Sequence, residues 1–204
     1  NSGTFTNAGG FNAADLENTA TFTFDNTGTL IASNSVTNAG TFTNDESFSA
    51  PTVTNSGIFT NNKTFSATDV VNTLTFGNTG TLNTSNSVTN AGTFTNAGGF
   101  NAVDLENTAT STFDNTGTLN TSNSVTNAGT FTNENTGTLT GINTVTNSGT
   151  FTNEGDFNAV DVENTETLEN TGTLNVTTMN NEGNTLGDGT YNILGDFTSS
   201  GTFF

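Results

Sequence analysis

Large apolar residues stand singly along this chain, each flanked by polar neighbours and separated from the next by five or six residues, occasionally seven or eight. Thr41-Phe42-Thr43, Thr52-Val53-Thr54 and Thr81-Leu82-Asn83 show the unit. One apolar residue between two polar ones is the period-two signature of a strand with one side chain inward and two outward. No 3.6-residue period is present, and the density of Thr, Asn and Gly disfavours helix.

The apolar anchors sort into three columns that cycle in order. The first runs from Leu16, Val36 and Val53 to Met179 and Phe197. The second runs from Phe5, Phe24 and Phe42 through Leu168 and Leu186 to Phe203, and the third from Phe11, Leu30 and Phe48 to Leu174 and Tyr191. Of the 18 Phe residues, only Phe22 and Phe204 fall outside the columns, so the spacing is not accidental. A small residue often follows two positions after a third-column anchor, as at Ala13, Ala32, Ala50, Ala67, Ala102 and Ala159, and is expected to point inward too.

One cycle takes 17 residues from Val36 to Val53 and 20 from Val125 to Val145. Three short strands per cycle, joined by tight turns, predict an all-β fold: a three-sided parallel β-solenoid of about eleven coils of 17–20 residues. All three columns are expected to be buried and in register. The phrase SVTNAGTFTN, at 35–44, 87–96 and 124–133, is then one corner plus one side of a triangle. Asn tolerates left-handed backbone angles and Gly takes positive φ, which suits both to corners. Asn side chains stacked from coil to coil can also form ladders. Residues 1–44 match 90–133 at a constant offset, so the solenoid grew by copying several coils at once. No composition break divides the chain, which is expected to form a single domain over 1–204 without evident caps, a rod on the order of 50 Å long.

The recurring Asn-x-Gly-x-[Phe/Leu/Val]-x-Asn/Thr pattern, as in NAGTFTN, NTGTLNT and NSGTFTN, resembles the β-solenoid repeats of filamentous-haemagglutinin-type secreted adhesins. The resemblance covers nearly the whole chain through a short, low-complexity motif. It implies a right-handed triangular parallel β-helix, outside the cell or on the surface of a bacterium or archaeon, and it carries no catalytic residue across. The family's secretion-signal domain is not among these residues, and the repeats are richer in Phe and more uniform than that family's. The left-handed hexapeptide helix ranks second, because its interior prefers smaller side chains and stricter six-residue spacing.

Charge narrows the function classes. One cation, Lys63, stands against 19 acids, a formal net charge of −18. Nucleic-acid binding, which needs clustered Lys and Arg, is not expected, and an anionic membrane surface would repel the chain. No apolar run approaches the length of a membrane-spanning helix, so membrane insertion is not expected either. Hydrophobic residues make up 29%, a fraction that would suggest disorder were the anchors not so regularly spaced. Without Cys or His, and with one Lys and one Tyr, most nucleophile, general-base and metal-site templates lack their residues. An enzyme is not expected.

Three surface features remain as candidates. Thr4/Thr6, Thr41/Thr43, Thr93/Thr95, Thr130/Thr132 and Thr150/Thr152 form outward Thr-x-Thr pairs on the second face, resembling the arrays of ice-binding solenoids. Asp25, Ile58, Gly77, Asp114 and Glu169 interrupt them, and Thr also suits any solvated strand face. Asp15/Glu17, Asp104/Glu106 and Asp161/Glu163 pair on the first face and are weak candidates for Ca²⁺, which needs about six convergent oxygens. No other cofactor is expected. Finally, Phe5 at one end, with Phe203 and Phe204 at the other, are candidate assembly ends, since Phe5 and Phe203 share a column. The expected function is a non-catalytic subunit or shaft of an extracellular filament or surface adhesin that assembles head to tail with itself. A ligand-binding solenoid for ice or divalent cations is the alternative.

Overall fold

The computed structural model describes residues 3–204, and among these there is no helix. Parallel strands stack as a β-solenoid of about eleven coils. They form two hydrogen-bonded sheets, one of 12 strands and one of 14. The 12-stranded sheet carries the second column, with Phe24 over Phe42, Phe42 over Phe59 and Phe59 over Phe76 in strict register. The 14-stranded sheet carries the other two columns together.

A short strand such as Thr41–Asn44 explains the unit. Its side chains alternate outward and inward, so Phe42 and Asn44 are both fully buried while Thr41 and Thr43 face out. Ring centroids along the second column lie 4.9 Å apart for Phe24–Phe42, 4.6 Å for Phe42–Phe59 and 4.7 Å for Phe131–Phe151, with planes within 6°. That separation is the distance between hydrogen-bonded strands, so the sheet spacing itself sets the ring stack.

Three expectations are corrected. The first concerns the third corner. In most coils the third- and first-column strands are one continuous strand, as in Thr29–Asn38, which carries both Leu30 and Val36. The chain bends there rather than turning at a glycine, and several pairings shift register at the bend, as between Ala102 and Asp104. The strand breaks in two at Thr81–Thr84 with Ser87–Asn90, at Thr173–Val176 with Thr178–Asn181, and at Thr190–Ile193 with Phe197–Ser199. Small inward side chains, Ala32, Ala50 and Ala67, let the backbone fold inward at this point.

The second concerns register near residue 185. Leu168 pairs with Thr185 rather than Leu186, so Thr185 takes the buried second-column position and Leu186 turns outward. The corner decides this. In the repeat, the anchor comes two residues after the glycine, and Gly183 sits so close to Glu166 that a Cβ would lie 2.1 Å from its carbonyl oxygen. A slip of one residue that buried Leu186 would reverse every side chain on the strand and displace that glycine.

The third concerns the ends. Interior column members are buried, but Phe5, Phe197 and Phe203 are 38%, 42% and 38% exposed. Each end coil has a neighbour on one side only.

Candidate functional site

Two ladders of buried Asn run the length of the solenoid. One follows the second column, from Asn7 and Asn26 through Asn96 to Asn170; the other follows the first column, from Asn18 and Asn38 through Asn107 to Asn181. At every step the Nδ2 of one Asn donates to the Oδ1 of the Asn one coil further along, at 2.6–2.9 Å. The same Nδ2 reaches a backbone carbonyl in the next coil, as Asn44 does to Thr64 at 3.0 Å. A primary amide presents one acceptor and two donor hydrogens, so a column of amides satisfies itself where no water enters. The ladders explain Asn at these corners: among the described residues the only non-glycine with positive φ is Thr110.

The corner glycines have a different reason from the one expected. Only Gly141 and Gly187 take positive φ among the described residues. Elsewhere glycine is required by close stacking, as at Gly98, where a Cβ would lie 2.0 Å from the Gly80 carbonyl oxygen one coil below.

The Thr face is more continuous than its pairs suggested. In the row preceding the second-column anchors, Thr4, Thr23, Thr41, Thr75, Thr93, Thr112, Thr130, Thr150, Thr167 and Thr202 stack in register, broken by Ile58 and Asn184. The row following the anchors is patchier. Thr132 and Thr152 are direct neighbours, whereas Thr6 meets Asp25, and Asp114 stands between Thr95 and Thr132. Partial burial raises the pKa of Asp114 above the ordinary carboxylate value, opposed by a hydrogen bond from Thr132.

The acidic pairs that are weak candidates for Ca²⁺, Asp15/Glu17, Asp104/Glu106 and Asp161/Glu163, do not stack on one another. Among the described residues no three acids are grouped as a metal site would need. The reason lies in the coil register, which sets each acid against a hydroxyl or amide residue rather than another acid. Glu17 stands beside Thr37 of the next coil, and its exposed side chain borders an apolar hollow lined by Phe5, Leu16, Phe22 and Phe24, with no second carboxylate. Asp104 lies between Ser87 and Ser124, and Glu106 between Thr89 and Thr126. Glu163 lies between Thr146 and Asn180.

Each Asp of these pairs is instead joined to the next coil. Asp104 Oδ1 accepts from Asn123 Nδ2 at 2.7 Å and Ser124 Oγ at 2.6 Å, and Asp15 does the same with Asn34 and Ser35. Asp69 repeats the clamp with Asn86 and Ser87, and the Ser87 hydroxyl, more than any other contact, holds its pKa below the usual value. Asp161 accepts from Thr178. The signal was present in the sequence: each SNSV, at 33–36, 85–88 and 122–125, follows an Asp by about one coil.

At the ends, Phe5 packs on Phe11 and Phe24, with centroids at 5.3 and 5.0 Å, while Phe203 meets Tyr191 and Phe197 edge-on. Phe204 is 81% exposed. Tyr191 Oη donates to the Leu186 carbonyl at 2.6 Å, and burial raises the pKa of this phenol.

Comparison of the chain with protein-family models, curated proteins and solved structures finds no match.

Proposed function

We propose that the chain is a non-catalytic structural element: a stiff shaft segment of an extracellular filament or surface adhesin of a bacterial or archaeal cell. The observation that carries this reading is the pair of unbroken Asn ladders, each joined by nine side-chain bonds from the first coil to the tenth. Every coil is tied to the next by the backbone, by stacked apolar anchors and by these amides, so bending the rod requires opening several contacts at once. A repeat stacked in this way transmits position over its whole length, as a spacer must. The repeat pattern shared with secreted adhesins supports the extracellular placement, and so does a surface carrying almost exclusively negative charge. Negative-stain images of the purified chain test the reading. Straight rods of uniform width are expected, and compact or flexible particles would overturn it. Calcium titration is expected to leave the melting temperature unmoved.

The Thr row supports a second reading, a flat hydroxyl face that binds ice. A thermal-hysteresis measurement decides it: depression of the freezing point below the melting point at micromolar protein would favour ice binding, and its absence the shaft alone.

A further inference from the structure

The acids are unevenly shared among the three faces. Beside the first column stand Asp69 and the pairs Asp15/Glu17, Asp104/Glu106 and Asp161/Glu163, and beside the second stand Asp25, Asp114 and Glu169. Among the described residues, the outward positions beside the third column hold one acid, Asp156, in rows of Ser, Thr, Asn and Gly that also include Ile31. In a chain of formal charge −18 this face repels a second copy least. Asp45, Glu46 and Glu154 border it, exposed in the corner that leads into it. Solvent screens charges placed there, as it does at the polar rim of an interface.

The face is also ordered and broad. Asn101 Nδ2 donates to Asn83 Oδ1 at 2.8 Å, Asn175 to Asn158 at 2.8 Å and Asn192 to Asn175 at 2.7 Å, so these outward amides are held along the axis. Docking on such a surface freezes few further rotamers. Ile31, 45% exposed, is a large apolar side chain that a partner would cover. Eleven strands carry the column. At about 4.8 Å per strand and about 15 Å across, they present about 750 Å². A standard stable interface takes about 800 Å² from each partner.

We propose that the third face is the docking surface for a second copy of this chain, sheet against sheet, so that two rods lie side by side. Flat sheet faces of short uncharged side chains, repeated in register, interdigitate closely. Packed sheets lie about 10 Å apart, close to the Debye length of about 8 Å at physiological ionic strength. Acids opposed across the first or second face would therefore repel, whereas the third face brings only Asp156. Both copies use the same patch, so the contact is isologous and closes as a dimer. It goes beyond the shaft reading, which a single rod would still satisfy.

Sedimentation velocity at physiological ionic strength, over a range of chain concentrations, tests it. Wild type should pass from monomer to dimer as concentration rises. Ser66→Glu with Thr118→Glu places two carboxylates on the third face, and Thr41→Glu with Thr130→Glu places two on the second. None of the four positions has an acid beside it in either neighbouring coil. With native circular dichroism confirmed for both variants, the third-face pair should weaken dimerisation at least about a hundredfold and the second-face pair less than about threefold. Asp156→Asn, which removes the carboxylate that docking would bury, should tighten it about tenfold. A wild-type chain still monomeric at about 1 mM, a concentration at which even weak pairing shows, would overturn the proposal. So would equal weakening by the two double substitutions, or a dimer that Asp156→Asn leaves unchanged.

Discussion

Asn96 Nδ2 donates to Asn115 Oδ1 at 2.8 Å, and both side chains are completely buried. Asn96 in turn accepts from Asn78 at 2.7 Å. Truncation therefore strands groups on two neighbours, the Asn115 acceptor and one donor position of Asn78. Asn96→Ala is expected to destabilise the chain by about 2–4 kcal/mol, each buried unpaired group contributing about 1–3 kcal/mol. Asn135→Ala, at an exposed inserted corner, should stay within about 0.5 kcal/mol. Urea denaturation of both variants reads the difference.

Gly98 and Gly99 are adjacent and opposite in their tolerance. A Cβ at Gly98 would fall 2.0 Å from the Gly80 carbonyl oxygen and 2.7 Å from Thr79 backbone atoms, whereas one at Gly99 meets nothing within 4 Å. Backbone cannot move aside as a side chain can. Gly98→Ala should destabilise by at least about 3 kcal/mol. Gly99→Ala should be neutral or stabilise by up to about 1 kcal/mol, through a less flexible unfolded chain. Melting temperatures of the two variants suffice.

The columns were legible in the sequence because each short strand holds one large apolar residue, which leaves little choice of inward face. The parallel solenoid and its coil count follow from that regularity. Residues 184–186 mislead because apolarity does not set their register; the close approach of Gly183 to the coil below does. The corner glycines stand out in the sequence, but their backbone angles are ordinary. The demand for a missing Cβ arises only between coils, which no local pattern reveals. The bend within Thr29–Asn38 has neither Gly nor Pro, and its Ser33-Asn34-Ser35 run does not stand out in a chain whose outward rows are Ser, Thr and Asn throughout. Ladders of Asn were legible as a possibility, but their burial and direction depend on the pleat placing Asn44 on the same side as Phe42. The Asp clamps, and the pairing of Glu17 with Thr37 rather than with another acid, depend on residues one coil apart, visible only once the coil length is known.

Thr185 tests the corrected register. Its hydroxyl is buried without a partner at a position that other coils give to Phe or Leu. Thr185→Val keeps the shape, removes the unsatisfied group and should stabilise by about 1 kcal/mol. Leu186→Ala should change stability by less than that. A large loss at Leu186 would restore the register expected from apolarity.

Asp114 and Asp69 should give opposite pH responses. Burial raises the folded pKa of Asp114 above 3.8, so the folded chain holds its proton more tightly than the unfolded one. Ionisation therefore destabilises the fold above that window, and the penalty vanishes below pH 3.8. Asp114→Asn should raise the melting temperature at pH 7 and lose its advantage in acid. The Ser87 hydrogen bond lowers the folded pKa of Asp69 below 3.8, so its contribution is present above that value and is lost as pH falls through the folded pKa. Asp69→Asn should lower the melting temperature at pH 7, with the deficit closing in strong acid. Thermal melts across pH 2–7 separate the two.

The stacking of coils in register can be measured along one row of outward threonines. The chain has no Cys, so paired Cys substitutions carry spin labels without interference. Thr41 and Thr130 are five coils apart, and Thr41 and Thr167 are seven. At about 4.8 Å per coil, pulsed electron paramagnetic resonance should give separations of about 24 Å and about 34 Å, growing linearly with coil number. Thr23 with Thr167, one coil more, should add about 5 Å to the longer distance. Distances that fail to grow with coil number, or that spread broadly about their means, would contradict a single rod of parallel stacked coils.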